Sequence, residues 1–147
     1  MQTDARPRFR ALDVNEMRAI LARNHVGRIA YSFHDRVNIV PVRYLYSAGW
    51  IYGRTSPGEK IEVLAHHKWV AFEVDEVDGP YDWRSVVVYG GFYVLEPDDD
   101  AWPHALELIH TVAPEALAED DPAPFRTVLF RIAIQESTGR EATSGAR

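Results

Sequence analysis

The chain has 147 residues, 46% of them hydrophobic, which matches the size and apolar content of one compact domain. Its 22 acidic residues outnumber the 16 basic ones for a formal charge of -6, which argues against a nucleic-acid-binding surface, since that depends on clustered positive charge. The lack of cysteine excludes disulfides, thiolate nucleophiles and zinc-thiolate centres.

In chain order, "DVNEMRAILARN" offers Asp13 as an N-cap with Glu16 three residues on. Met17, Ile20 and Leu21 follow at helical spacing, so a short amphipathic helix is predicted to end near Asn24. The runs "VGRIAYSF", "VNIVPVRYLYS" and "GWIYGR", separated by the turns at 34–36 and 48–49, predict a three-stranded meander. "GEKIEVLAHH" predicts a short helix with Ile61 and Leu64 on one face, and "WVAFEVDEV" returns to alternation with Val70, Phe72 and Val74 on one side. After the loop "DGPYDW", the run "RSVVVYGGFYVLE" is the most strand-like in the chain, and its Gly90-Gly91 pair predicts a bulge or a close backbone approach.

"PDDDAWPHALELIHTV" predicts a further helix, with acidic residues at its positive end and Ala105, Leu106, Ile109 and Val112 facing inward. "APEALAEDDPAP" reads as a surface connection. "FRTVLFRIAIQES" alternates Val128, Phe130, Ile132 and Ile134 against polar neighbours as a last strand. The expectation is a single domain over 1–147, with 1–12 and 138–147 as flexible tails. Six strands with small helices inserted predict a mainly β protein, a closed antiparallel barrel rather than a βαβ sheet. No stretch approaches the ~20 apolar residues of a membrane span and the N-terminus has no signal-like apolar core, so a cytoplasmic protein without a membrane partner is expected.

Most catalytic motifs are missing. The six histidines make neither HxH nor HExxH, so no metal site is predicted, and capping of helix C-termini accounts for His25, His66 and His67. There is no GxSxG elbow and no GxGxxG or GxxxxGK[ST] phosphate loop. The stretch "IYGRTSPGEK" is different. Arg54 ends a strand, Thr55 and Ser56 carry hydroxyls, Pro57-Gly58 turns the chain, and Lys60 sits in the first turn of the next helix, where free backbone N–H groups point outward. Every component favours a phosphate, although an ordinary helix start, with Ser56 as its cap and Glu59 on the dipole, uses the same residues. Nearby, Pro41 interrupts "IVPVRYLY" and implies an edge where backbone groups face a ligand or merely avoid aggregation. Trp83, Arg84 and Ser85 place an aromatic wall, a cation and a hydroxyl side by side at a strand start.

Taken together, "NHVGRIAY", "VNIVPVRYLY", "WIYGRTSPGEKIEVL", "VAFEVDEVD", "WRSVVVYGGFYVLE" and "FRIAIQESTGRE" resemble the pyridoxamine 5'-phosphate oxidase-like family of flavin-binding split barrels, in the branch of the nitroimidazole-resistance-type proteins. The resemblance implies a six-stranded split barrel that forms a homodimer with FMN in two clefts between the subunits. It assigns Arg54, Thr55 and Lys60 to the flavin phosphate with Ser56 as a further loop contact, Pro41, Val42 and Arg43 to the ring and ribityl chain, and Trp83, Arg84 and Ser85 to closing the site, in part from the partner subunit. It names no catalytic side chain: Arg43 and Arg84 could stabilise a reduced ring, while Tyr44 and Tyr89 are proton donors or core residues. The sequence departs from the vitamin-oxidising members at Glu59, where they carry a basic residue, and in its C-terminal segment. The implied activity is therefore general flavin redox chemistry with a reduced nicotinamide donor and a nitroaromatic or quinone-like acceptor. A deazaflavin- or haem-binding module is the alternative.

Overall fold

The structure is a computed structural model and describes residues 6–145. Seven strands and three helices follow in the order β1 (Arg8–Ala11), α1 (Val14–Arg23), β2 (Val26–Phe33), β3 (Arg36–Ser47), β4 (Trp50–Thr55), α2 (Glu59–His66), β5 (Trp69–Gly79), β6 (Asp82–Leu95), α3 (Trp102–His110) and β7 (Val128–Thr143). The strands pair antiparallel in the order β1-β7-β4-β3-β2-β5-β6, and β6 pairs back onto β7. Strands β2 to β7 thus close into the expected six-membered ring of a split barrel.

Two corrections concern the chain ends. The strand count is seven rather than six, because Arg8–Ala11 pairs with Arg140–Thr143, beyond the point where β4 leaves the same edge of β7. Residues 138–143 are likewise strand and not a tail: they lie between β1 and β6, with Trp83 opposite Ala142 and Val87 opposite Thr138. Their polar sequence conceals this: the buried positions are only Gly139 and Ala142, and the largely buried Glu141 side chain pairs with Arg10 and Arg84. Gly139 lies where a Cβ would come 2.9 Å from the Met17 side chain, which packs α1 directly on this strand. The remaining predicted tail residues, 1–5 and 146–147, lie outside the described residues.

The predicted local signals are otherwise visible as contacts. Asp13 and Glu16 form the capping box, each side chain accepting from the other's backbone N–H at 2.8 and 3.0 Å, and Met17, Ile20 and Leu21 are buried. His34 and Asp35, both at positive φ, make the two-residue β2–β3 turn, and Ala48 and Gly49 make the β3–β4 turn the same way. The barrel core contains Tyr44, Ile51, Phe72, Val74, Val86, Val88, Phe130 and Ile132. The acidic run before α3 is not on the helix: Trp102 begins it, and Asp99 instead accepts from the Glu96 N–H at 2.7 Å.

A second, smaller core lies outside the ring. Ala105 and Ile109 of α3 and Ala116 beyond it pack on Tyr52, Leu95 and Leu129. Strand β7 is therefore buried on both faces in its first half, with Phe130 and Ile132 inward and Leu129 outward. This outer core fixes α3 and the long connection after it against β4, and it creates the cleft described next.

Candidate functional site

A cleft of about 690 Å³ opens between the β3–β4 wall of the barrel and the α3–β7 connection. Its size is within the range of small-molecule and cofactor sites. Seven of the predicted residues line it together: Pro41, Val42 and Arg43 from β3, Arg54 and Thr55 from β4, Ser56 from the loop and Lys60 from α2.

The β3 wall explains Pro41. Strand β4 covers β3 only over Tyr44–Ser47, so residues 36–43 are paired with β2 alone. The Tyr44 N–H donates to the His25 carbonyl at 2.9 Å, which sets the phase of the β2–β3 ladder. By alternation, the backbone groups of Arg43 and Ile39, and the position of the N–H that Pro41 lacks, face away from β2. Proline therefore costs the ladder nothing here, and the neighbouring backbone groups are left for another partner.

The loop between β4 and α2 behaves differently from an ordinary cap. Gly58, not Ser56, is the N-cap of α2, at a φ of 153° and without any side-chain cap bond. Ser56 stays half-buried in the cleft wall and Thr55 is buried. Lys60 is half-buried, and burial together with the nearby Arg126 charge holds its ammonium below the ordinary lysine range.

Arg54 has a partner that sequence reasoning missed. Its guanidinium donates to both Asp121 carboxylate oxygens, at 2.7 and 2.9 Å, with the two side chains only 11% and 2% exposed. The Asp121 carboxylate also accepts from the Leu117 and Ala123 N–H groups, each at 2.9 Å, and these donors hold its pKa well below the usual carboxylate range. Arg54 further donates to the Arg126 carbonyl at 3.4 Å, and Arg43 to the Val112 carbonyl at 3.4 Å. The segment read as a surface connection is thus a strap that walls the cleft. Arg54→Ala is expected to lower Tm by about 5 °C or more by leaving a buried carboxylate without its cation. Asp121→Asn should cost less, and thermal melts should show that the double variant loses little beyond Arg54→Ala.

The strap supplies lining residues that were not anticipated: Val112, Ala113, Glu115, Pro122, Ala123, Phe125 and Arg126. Phe125 is exposed at the cleft lip with the Arg126 guanidinium 5.7 Å from its ring centre. The aromatic surface in the cleft is therefore Phe125 and Tyr52, and the only signal for Phe125 in the sequence is its place beside Arg126 after a Pro-rich stretch. Tyr44 also lines the cleft, but its hydroxyl donates to the Leu21 carbonyl at 2.7 Å and burial pushes the phenol up, so it is a core residue.

Within one chain the structure does not bring Trp83, Arg84 and Ser85 to this cleft. They start β6, facing Val77, Glu76 and Asp75 of β5 and residues 140–142 of β7. Trp83 donates to the Pro80 carbonyl at 3.2 Å and its ring lies 6.4 Å from Phe9. Arg84 is held by Glu76 at 3.0 Å, and the same carboxylate accepts from Arg23 and Asn24, which holds the Glu76 pKa down to about 2. Tyr89 is exposed on β6, away from the cleft lining.

Comparison with known proteins places this geometry in context. The family described as pyridoxamine 5'-phosphate oxidase matches residues 13–141. A FAD-binding protein of Mesorhizobium loti has a similar structure, with 32% identity, a TM-score of 0.77, and 94% of this chain and 99% of that one covered. An uncharacterised protein of Rhizobium meliloti (strain 1021) is 25% identical over 92% of this chain and 97% of its own length. A protein assigned to 5-nitroimidazole antibiotic resistance in Bacteroides thetaiotaomicron, 18% identical, shares the fold at a TM-score of 0.71, covering 92% of this chain and 88% of that one.

Proposed function

The chain belongs to the pyridoxamine 5'-phosphate oxidase family, and from that premise we propose that it binds a flavin, FMN, in the strap-walled cleft. We further propose that it acts as an oxidoreductase, passing electrons from a reduced nicotinamide to a small organic acceptor of the nitroaromatic or quinone class. One observation carries this reading: a cleft of cofactor size combines cations and hydroxyls at the loop end with an open strand edge and apolar walls. A flavin nucleotide needs that donor set, charge-assisted contacts for its phosphate and backbone groups plus flat apolar contacts for its ring.

Lys60, Thr55 and Ser56 would hold the phosphate, and the free edge at Pro41–Arg43 would run along the ring. Phe125, Ile109 and Val112 would exclude water from one side. When bound, the flavin itself supplies the electron-transfer chemistry, and the protein contributes position and charge. No nucleophile is required, and Tyr44 is withdrawn from any proton-transfer role by its bond to Leu21.

The test is an absorption and fluorescence spectrum of the purified protein, followed by titration with FMN and FAD. Yellow colour with flavin fluorescence, or tight binding of either nucleotide, supports the reading; a Soret band or a deazaflavin spectrum replaces it.

The assembly we propose is a homodimer with the cofactor sites at its interface. In support, Val37, Ile39, Trp69 and Tyr89 form exposed apolar surface, with Val37 75% and Ile39 65% exposed beside the open edge of β3. Trp83, Arg84 and Ser85 would reach a cofactor only from the partner subunit. Sedimentation velocity should find a dimer that Ile39→Glu converts to monomer; a monomeric parent would remove this part of the reading.

A further inference from the structure

Four cations line the cleft, Arg43, Arg54, Lys60 and Arg126, against one lining acid, Glu115. Their situations differ. Arg54 is neutralised by Asp121, which already accepts two hydrogen bonds from it and two from the backbone. Arg43 lies along β3 and touches the strap carbonyl of Val112. Lys60 and Arg126 come from opposite walls, α2 and the strap, and among the described residues neither makes an ion pair. Both side chains line the same cleft, and the nearby Arg126 charge helps lower the Lys60 pKa. Like charges lining one cleft without a counter-ion are unfavourable, and a phosphate between them reverses the sign of that interaction.

We propose that a phosphate ester is gripped across the cleft by Lys60 and Arg126, and that Arg54 does not ligand the anion but clamps the strap that presents Arg126. The proposal rests on the flavin reading for the identity of the ester and goes beyond it in assigning Arg126 and reassigning Arg54. The clamp is visible as one guanidinium holding both ends of the short segment 121–126: the Asp121 carboxylate at 2.7 and 2.9 Å and the Arg126 carbonyl at 3.4 Å. Between these ends the chain is tightened by the bond from the Arg126 N–H to the Ala123 carbonyl at 3.0 Å. The Arg126 side chain is thereby left exposed and directed along Phe125 at the cleft lip.

The experiment compares FMN with riboflavin, which lacks the phosphate, by titration against the full chain. Arg126→Ala should weaken FMN about 10-fold or more and riboflavin less than about 2-fold, with Arg126→Lys recovering part of the loss. Equal effects on both flavins, or none on FMN, would overturn the proposal. Asp121→Asn separates the two roles of Arg54. As a clamp partner its loss weakens FMN relative to riboflavin by loosening Arg126, whereas a freed Arg54 that liganded the anion would strengthen FMN, and that result refutes the assignment. If the parent binds neither flavin, the flavin reading fails and inorganic pyrophosphate decides the cation pair. A rise in Tm in the parent that Arg126→Ala abolishes supports the pair; the same response in both proteins, or none in the parent, overturns it.

Discussion

Gly90→Ala is expected to abolish the folded barrel. A Cβ at this position would sit 1.8 Å from the Ala133 carbonyl oxygen and 2.9 Å from its carbon, both backbone atoms of the neighbouring strand. The two strands cannot move apart there without opening the β6–β7 ladder, which runs from Trp83 to Leu95 and closes the ring. The reason for the approach is a bulge: Tyr89 faces Glu136 while Gly90 faces Ile134, so Gln135 is the extra residue and β7 bends toward β6. Overpacking typically costs about 1–3 kcal/mol where side chains can yield; here the clash is with the backbone of the neighbouring strand, so the cost exceeds that range and competes with the roughly 5–15 kcal/mol that stabilise a typical domain. Gly91→Ala is the matched control. Its Cβ would meet only the Tyr93 side chain, at 3.1 Å, which is partly exposed and can swing aside. Soluble yield and circular dichroism melts should therefore show one substitution tolerated and its neighbour not; a folded Gly90→Ala protein would contradict the close approach.

Lys60→Ala should raise the Kd for FMN by about 10- to 100-fold, the range expected when one charge-assisted contact to a phosphate is removed from a partly buried site. The loss should be specific to phosphate-bearing ligands, and the salt dependence of binding should become shallower because one cation fewer contributes. A pH series adds a second check. Because burial and Arg126 both favour the neutral amine, Lys60 loses its proton below the ordinary value of 10.5. FMN affinity in the parent should therefore begin to fall with rising pH before that value is reached, and the Lys60→Ala variant should lack this component. An unchanged Kd in the variant would remove Lys60 from the anion site.

What could be read from the sequence was mostly local. The Asp13–Glu16 capping box, the two tight turns, the alternation of Val70, Phe72 and Val74 and the glycine-marked bulge depend on neighbours within a few residues, and each is present. The clustering of Arg54, Thr55, Ser56 and Lys60 with Pro41–Arg43 was legible for the same reason, as a loop beside an interrupted strand. The strap was not. Asp121 sits in an acidic, proline-bounded run that looks solvated, and its role depends on Arg54, 67 positions earlier. The end of β7 was missed because its buried positions, Gly139 and Ala142, carry little strand signal and stand among polar residues, one of which, Glu141, is held by ion pairs to Arg10 and Arg84. The residues at 83–85 have an ordinary explanation inside one chain: Arg84 completes the ion pairs around Glu76.

Ring closure by β7 also has a consequence for biosynthesis. This strand pairs with β1, β4 and β6, so β1 has no strand partner, and β4 and β6 each keep one edge unpaired, until residues 128–143 leave the ribosome. A nascent chain that has reached only the strap exposes the free edges of β4 and β6, the kind of surface that templates aggregation. The barrel therefore matures only after its last strand is released, and pausing on the codons for the strap would lengthen the interval in which chaperones have to shield those two edges.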